Sequence, residues 1–460
     1  MTLVSLLRER TLAALPHGSV RRRLAGGVFW TTIGSLVGQG IVALGSVVLA
    51  RILGKEGFGR FGILQSTISM FAVFAGLAMG YVATKHVAES VVTDRETTGR
   101  VVGLSLLVAG LAGLLVTAIL MLWAEPFARR FLGSEQMAGA LRIASPILLF
   151  GAVTGVLRGV LAGLEEFRAQ NLLVTAMAVV TVALTTAGAW VADLRGAMWG
   201  AMLGAALLLL GLSVVYQRAM SRAGIPVHFR GTWQESQVLW TLALPALLNG
   251  VMVAPVVWVT NAILVNTAGG YGEMGLFNAA NQWRTILMYI PSIVLTPLLP
   301  IMTQLHATQQ YGQLRRVLIR TLGLSVGVVG CLALGFSLFA SRIMGLYGSG
   351  FEAGTPVFYL IMLVSVLLSA GVVVGGLLSS TGAMWTGFLF NSVWAAAMIG
   401  TSILAVPRKG ALGLALAYAV SYTIHTAIQF LYFWMYVRKS EIPGPKARYL
   451  KDPAEEQLWG

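Results

Sequence analysis

The 460-residue chain is 57% hydrophobic and only 11% charged, and its 32 basic residues outnumber 17 acidic ones for a formal net charge of +15. That balance excludes a water-soluble protein. The basic residues are scattered over short loops rather than gathered on one face, which speaks against a nucleic-acid partner.

In chain order, residues 1–25 form an N-terminal segment in which Leu3, Leu7, Arg8 and Arg10 predict a short helix lying on the membrane surface. Val48-Leu49-Ala50 resembles a signal-peptide cleavage site, but the uncharged run 24–50 far exceeds the roughly 7 to 15 residues of a signal core. A retained first span is expected. Further spans follow wherever about 20 residues pass without a charge: 61–84, 101–124, 169–192, 196–217, 236–272, 285–314, 321–341 and 410–437. A fourth span near 140–163 carries Arg142 and Arg158. The stretch 353–407 is too long for one helix and is divided by Ser379-Ser380-Thr381-Gly382. The total is twelve.

An even number returns both termini to one side. Basic residues favour that side by about two to one, so the positive-inside rule places both ends in the cytoplasm. For Arg51 and Arg142 the expected behaviour is snorkelling to headgroups.

Gly57-Phe58-Gly59-Arg60-Phe61-Gly62-Ile63-Leu64-Gln65 recurs as Gly270-Tyr271-Gly272-Glu273-Met274-Gly275-Leu276-Phe277-Asn278. Leu132-Gly133-Ser134 returns as Tyr347-Gly348-Ser349, and Arg195-Gly196-Ala197 as Lys409-Gly410-Ala411. The three offsets are 213, 215 and 214 residues. The expected fold is therefore all-α and membrane-embedded, with twelve transmembrane helices in two six-helix bundles related by a pseudo-two-fold axis. The bundles would span 26–217 and 237–437, with a cytoplasmic linker at 218–236 and a cytoplasmic tail at 438–460. Two like halves in a membrane suit a transporter that binds between them and rocks.

Catalysis finds little support. No loop has room for a catalytic domain, and there is no HExxH, phosphate-binding glycine loop or paired carboxylate. Cys331 is alone, leaving neither a disulfide framework nor a thiol metal site. Cofactors are expected to be none. Of five histidines only His425 lies well inside a span, where a hydrogen bond to a neighbouring helix is the expected state. No acidic residue is centred in a span, which disfavours a cationic substrate.

The substrate-facing candidates lie on the first, second, fourth, seventh and eighth spans. Asn278, Asn281, Gln282 and Thr285 follow helical spacing on one face of the eighth, with Arg284 beside them. Gln39 with Ser35, Gln65 with Ser66 and Ser69, and Asn249 are further polar members. Arg60 and Arg158 are expected to add cationic charge to the lumen. Pro245 and Pro255 in the seventh span, and Pro291, Pro297 and Pro300 in the eighth, are expected to bend their helices at a gate.

The run Ala50-Arg51-Ile52-Leu53-Gly54-Lys55-Glu56-Gly57-Phe58-Gly59, after a span holding Gln39 and Gly40, resembles the signature of polysaccharide exporters. These are the Wzx-type flippases of the multidrug/oligosaccharidyl-lipid/polysaccharide superfamily. Leu244-Pro245 to Asn249-Gly250 matches the Pro-Asn seventh helix of that group. The resemblance implies two V-shaped bundles that alternate their opening, and carriage of an undecaprenyl-diphosphate-linked oligosaccharide from the inner to the outer leaflet of a bacterial cytoplasmic membrane. It also implies membrane lipids as surroundings, and polymerases and glycosyltransferases of one pathway as partners. Arginines would suit the diphosphate and carboxamides the sugar hydroxyls. Lipid II flippases of the same superfamily usually carry two further helices, for which this chain has no sequence; drug exporters share the fold. A membrane polymerase or ligase would be expected to show a long external loop rich in arginine and histidine, and a scaffolding protein would need no polar stripe.

Overall fold

Hydrocarbon offers no water to bond a peptide group, so a spanning chain must pair its N–H and C=O groups internally. A computed structural model describes residues 20–91, 94–226, 228–229, 231–244, 247 and 251–439, and every regular element among them is helical. The surface helix expected around Leu3 to Arg10, and with it Pro245 and Asn249, lies outside the described residues.

The elements are α1 (Val20–Gly76), α2 (Met79–Ser90), α3 (Arg95–Leu122), α4 (Ala124–Phe131), α5 (Met137–Ala144), α6 (Pro146–Gly163) and α7 (Phe167–Ala223). A 3-10 turn (Thr232–Glu235) and a π-helical turn (Leu239–Ala243) lead to α8 (Val253–Val265) and α9 (Gly270–Ala307). Then come α10 (Tyr311–Leu338), α11 (Ala340–Gly345), a 3-10 turn (Glu352–Gly354), α12 (Thr355–Ser380) and α13 (Met384–Lys439). Among the described residues seven helical stretches are long and apolar enough to cross a bilayer, and the bent α9 makes an eighth. The protein is an all-α membrane protein.

Helix α7 has 57 residues, which at 1.5 Å per residue is about 85 Å, well beyond the roughly 30 Å hydrocarbon layer. It folds back on itself. The reversal sits at Ala192 and Asp193, whose φ of 47° is left-handed. Beyond it, Gly196 packs on the Gly188 carbonyl, Gly200 on that of Leu184, Gly204 on the Thr181 side chain and Gly211 on Leu173. Small residues at these four levels let the two limbs lie backbone to backbone. Helix α13 reverses at Gly410 (φ 53°). There Gly413 meets the Ala405 carbonyl, Trp394 lies 5.5 Å from Tyr422, and Phe390 lies 5.8 Å from Tyr432. Helix α1 breaks at Gly54 (φ 67°). Helix α12 ends where Ser379–Gly382 divides the longest uncharged stretch, with Gly382 at φ 72°.

The chain's N- and C-terminal helices meet most closely at the repeated glycine motifs. A Cβ on Gly59 would run into the Tyr271 carbonyl, one on Gly62 into the Asn278 amide, and one on Gly275 into the Lys55 carbonyl. Around this crossing, Trp258 Nε1 donates to Thr67 Oγ1 at 3.0 Å, Asn261 Nδ2 to Ser66 Oγ at 2.9 Å, and Asn266 Nδ2 to the Phe131 carbonyl at 2.9 Å. Tyr271 OH donates to the Leu132 carbonyl and Arg51 Nε to the Leu346 carbonyl at 2.6 Å. Phe58 wedges between Tyr347 and Phe351, with centroids 6.1 and 6.2 Å away. The same end carries exposed Trp123 and Trp190, as at a membrane interface. Arg142 pairs there with Glu125 at 2.8 Å, both half-exposed.

At the opposite end the connector after α7 is strapped to the start of α3. Gly99 and Gly103 accommodate the carbonyls of Pro226 and His228. Arg100 bonds Glu235 at 3.1 Å, Glu96 at 3.1 Å and Thr97 at 2.8 Å. Asp94 caps α3, accepting from Thr97 Oγ1 and from the Thr97 and Glu96 N–H groups. These bonds, led by that from the Thr97 side chain, hold its carboxyl below its ordinary range. The cap therefore contributes above that range and is lost as pH falls through the lowered value.

Gly59→Val should destabilise the protein by about 1–3 kcal/mol or force the crossing open, read as a lower unfolding temperature in detergent. Gly323→Val, where a Cβ meets open space, should leave the unfolding temperature unchanged.

Candidate functional site: an amide-walled cavity

The break at Gly54 splays the two limbs of α1, and the space between them, closed by α7 and α9, is a cavity of about 500 Å³. One wall is made of amides: Gln65 from α1 and Asn278, Asn281 and Gln282 from α9. Three of these are the helical stripe expected on the eighth span. The facing wall belongs to α7 and is apolar at Val174, Met177, Ala178, Val182, Ala201 and Leu208, with Thr181, Thr185 and Thr186 interspersed. The cavity thus has a hydrogen-bonding side and a greasy side.

Glycine at position 62 lets the Asn278 amide approach α1, and Asn278 Nδ2 is buried there without a hydrogen-bond partner. Arg284 Nε donates to Asn281 Oδ1 at 2.7 Å. This bond occupies the carbonyl of Asn281, leaving its NH₂ as the group to offer a ligand. The Arg284 guanidinium lies over the Tyr418 ring at 5.7 Å, a cation–π contact that also shields the charge. The half-buried Arg284 thereby stands behind the amide wall, and no arginine is among the described residues lining the cavity. The expected cationic lining is corrected to a neutral amide surface backed by one cation.

The remaining candidates scatter. Gln39 Nε2 donates to Tyr289 OH at 2.6 Å, joining α1 to α9 outside the cavity lining. Arg60 belongs to the glycine crossing, 5.0 Å from the Tyr271 ring and 3.8 Å from Glu56. Arg158 is exposed on α6 and touches none of the described cavities. Pro255 sits in the first turn of α8, where a missing N–H costs nothing, so it starts a helix rather than bending one. Pro291 is buried in the segment of α9 before the bend, while the 44° bend itself falls between Leu295 and Leu298. Sequence reasoning missed the threonines and the apolar face of α7, because hydroxyls in a hydrophobic run look like helix glue. It also missed Tyr418 and Tyr422, which carry no periodic signal. His425, expected to be hydrogen-bonded, instead has Nε2 buried without a partner.

A model of the family described as polysaccharide biosynthesis protein matches residues 24–306, more than half the chain. The chain belongs to the polysaccharide biosynthesis protein family. Relatives include the EPS I polysaccharide export inner membrane protein EpsE of Ralstonia solanacearum, 26% identical over 84% of this chain and 88% of the relative. Stage V sporulation protein B of Bacillus subtilis is 23% identical over 69% of this chain and 64% of its own length. Among solved structures, an inward-facing multidrug resistance MATE family transporter of the MOP superfamily aligns with a TM-score of 0.75 at 13% identity, covering 88% of this chain and 96% of the transporter. The lipid II flippase MurJ in an inward closed conformation aligns with a TM-score of 0.72 at 13% identity, covering 89% of each. The fold of this family member is therefore the one these two solved transport proteins share, and the cavity lies between helices from the two parts of the chain.

Replacing Asn278 by Leu removes an unpaired buried amide while keeping its shape. It should raise unfolding stability by about 1 kcal/mol, measured by thermal denaturation, while weakening whatever the amide wall binds.

Proposed function

We propose that this protein is a flippase for a lipid-linked polysaccharide precursor, carrying the polar head of a polyprenyl-diphosphate-linked oligosaccharide across the bilayer through the amide-walled cavity. The observation that carries the reading is the cavity's two-sided chemistry in a member of a polysaccharide biosynthesis family. Carboxamides on α1 and α9 suit the hydroxyls and acetamido groups of a sugar, and the α7 wall suits the first part of a lipid chain. The polysaccharide-export relative supports the same substrate class.

In this reading the reversals within α7 and α13, the break in α1 and the broken seventh span divide the chain into twelve spans. The halves are 26–217 and 237–437, related by a pseudo-two-fold axis, with both termini and the 218–236 linker in the cytoplasm. The glycine crossing is the closed outer gate, and the head group enters from the inner leaflet. Rocking the halves opens the crossing and closes the other end. Among the described residues no carboxylate lines the cavity, which favours an anionic over a cationic cargo. One negative charge moving outward gains about 2.3 kcal/mol per 100 mV of inside-negative potential, so the potential is a sufficient drive. Partner polymerases and glycosyltransferases would make and consume the cargo.

In proteoliposomes, a labelled polyprenyl-diphosphate sugar should be translocated faster with the potential imposed. Collapse of that potential, with pH and sodium gradients held fixed, should slow it; unchanged rates would reject the drive. Arg284→Ala should lower translocation about tenfold or more, equivalent to about 1.4 kcal/mol, at normal expression. Arg284→Lys, which lacks the Nε donor, should fail nearly as badly if the role is to hold Asn281. Full transport by either variant would remove Arg284 from the site.

A further inference from the structure

A second cavity of about 270 Å³ lies among the C-terminal helices, bounded by α8, α12 and both limbs of α13. Three polar atoms on its walls are buried and unpartnered: Trp394 Nε1, His425 Nε2 and Gln429 Oε1. Trp394 is 2% exposed and Gln429 4%, so neither can turn to solvent for a partner. One obligate donor, one obligate acceptor and one imidazole nitrogen together suit water, and the Trp394 N–H is the wrong polarity for a bare metal ion. Desolvated polar atoms of this kind cost free energy unless something fills the space.

We propose that this pocket is a water-filled protonation site with His425 as the proton acceptor, and that its charge state is felt in the amide-walled cavity through Tyr422, Tyr418 and Arg284. With its proton on Nδ1, the neutral ring presents the Nε2 lone pair to the pocket. A proton from bulk solvent, relayed through water in the pocket, binds Nε2 to give the imidazolium with a net charge of +1, and it returns to bulk along the same water. Gln429, one helical turn onward, is the acceptor for the new N–H.

The connection is a continuous chain of ring contacts. Tyr422 lies 6.3 Å from His425, edge-on at 82°, and 6.0 Å from Tyr418. Arg284 caps Tyr418 at 5.7 Å and holds Asn281 at 2.7 Å. The α8 and α12 residues on the pocket wall are all apolar or glycine, and the first limb of α13 brings neutral Asn391 and Trp394. Tyr422 on the second limb is the other titratable group on the wall, and Arg284 is the charge behind it. Protonated His425 and Arg284 therefore repel, and an anion in the amide-walled cavity relieves that repulsion. Proton and anionic cargo favour each other's binding, and the linkage is reciprocal. This last step rests on the flippase reading; protonation of the pocket does not.

The test is a nitrogen-15 NMR titration of histidine-labelled full-length protein in phosphatidylethanolamine/phosphatidylglycerol nanodiscs, with His425→Gln assigning the signal. The His425 signal should titrate between about pH 5 and 8. Its midpoint should move to higher pH in Arg284→Gln, and titration should disappear in Gly375→Leu, whose side chain grows into open space in the pocket. A signal silent over that range, or a midpoint unmoved by Arg284→Gln, overturns the proposal. His425→Gln should also flatten the pH profile of polyprenyl-diphosphate sugar transport, and an unaltered profile overturns the coupling. Wild-type protein that titrates as expected but moves no such lipid rejects the proposed cargo and leaves the protonation site standing.

Discussion

Two helices touching backbone to backbone at Gly59 and Gly275, with Gly62 seated on the Asn278 amide between them, set the distance between the N- and C-terminal parts of this protein. Lipid tails compete with side chains for apolar contact, so helices in a bilayer gain little from burying grease. They associate through close packing and a few interhelical hydrogen bonds. Each of the bonds around the crossing, such as Trp258 to Thr67 and Asn261 to Ser66, is worth about 0.6 to 2 kcal/mol in membranes. A contact built from tight van der Waals fit and a handful of such bonds is specific in register and shallow in energy. It can be rebuilt elsewhere at modest cost, as the rocking cycle proposed above requires.

The cavity follows from the same geometry. Removing a Cβ at position 62 brings Asn278 against α1, and the break at Gly54 leaves room beyond it. The polar atoms left over are kept at some expense: the Asn278 amide, and in the second pocket Trp394, His425 and Gln429, are buried without partners. Apolar residues at those positions would pack more stably. Their presence marks where the structure trades stability for a ligand, a proton or water.

Legibility from sequence was uneven, for identifiable reasons. The duplicated glycine motif was visible because backbone contact leaves only glycine as an option, and Gly133 and Gly348 share left-handed φ values of 76° and 118°. The Arg195-Gly196-Ala197 echo misleads slightly. The chain reverses at Gly410 in one copy but at Ala192 and Asp193 in the other. The amide stripe of α9 could be read because helical spacing puts Asn278, Asn281 and Gln282 on one face. What that face looks at could not, since a threonine in an apolar run gives the same signal whether it bonds its own helix or lines a cavity. Arginines were over-read: charge alone does not tell Arg60, engaged with Tyr271 and Glu56, from Arg284, engaged with Asn281.

The strap between α7 and the π-helical turn has a mechanical meaning. Its carbonyls sit in the notches at Gly99 and Gly103, and Glu235 is clasped by Arg100. Through Glu235, then, the connector travels with α3 as part of one solid block. In the proposed cycle, rotation of the later helices would be absorbed immediately downstream, at Leu239–Ala243, where the helix already winds more loosely than α. The hinge of the proposed cycle would thus sit at the π-helical turn rather than in the middle of the connector, on the side toward α8.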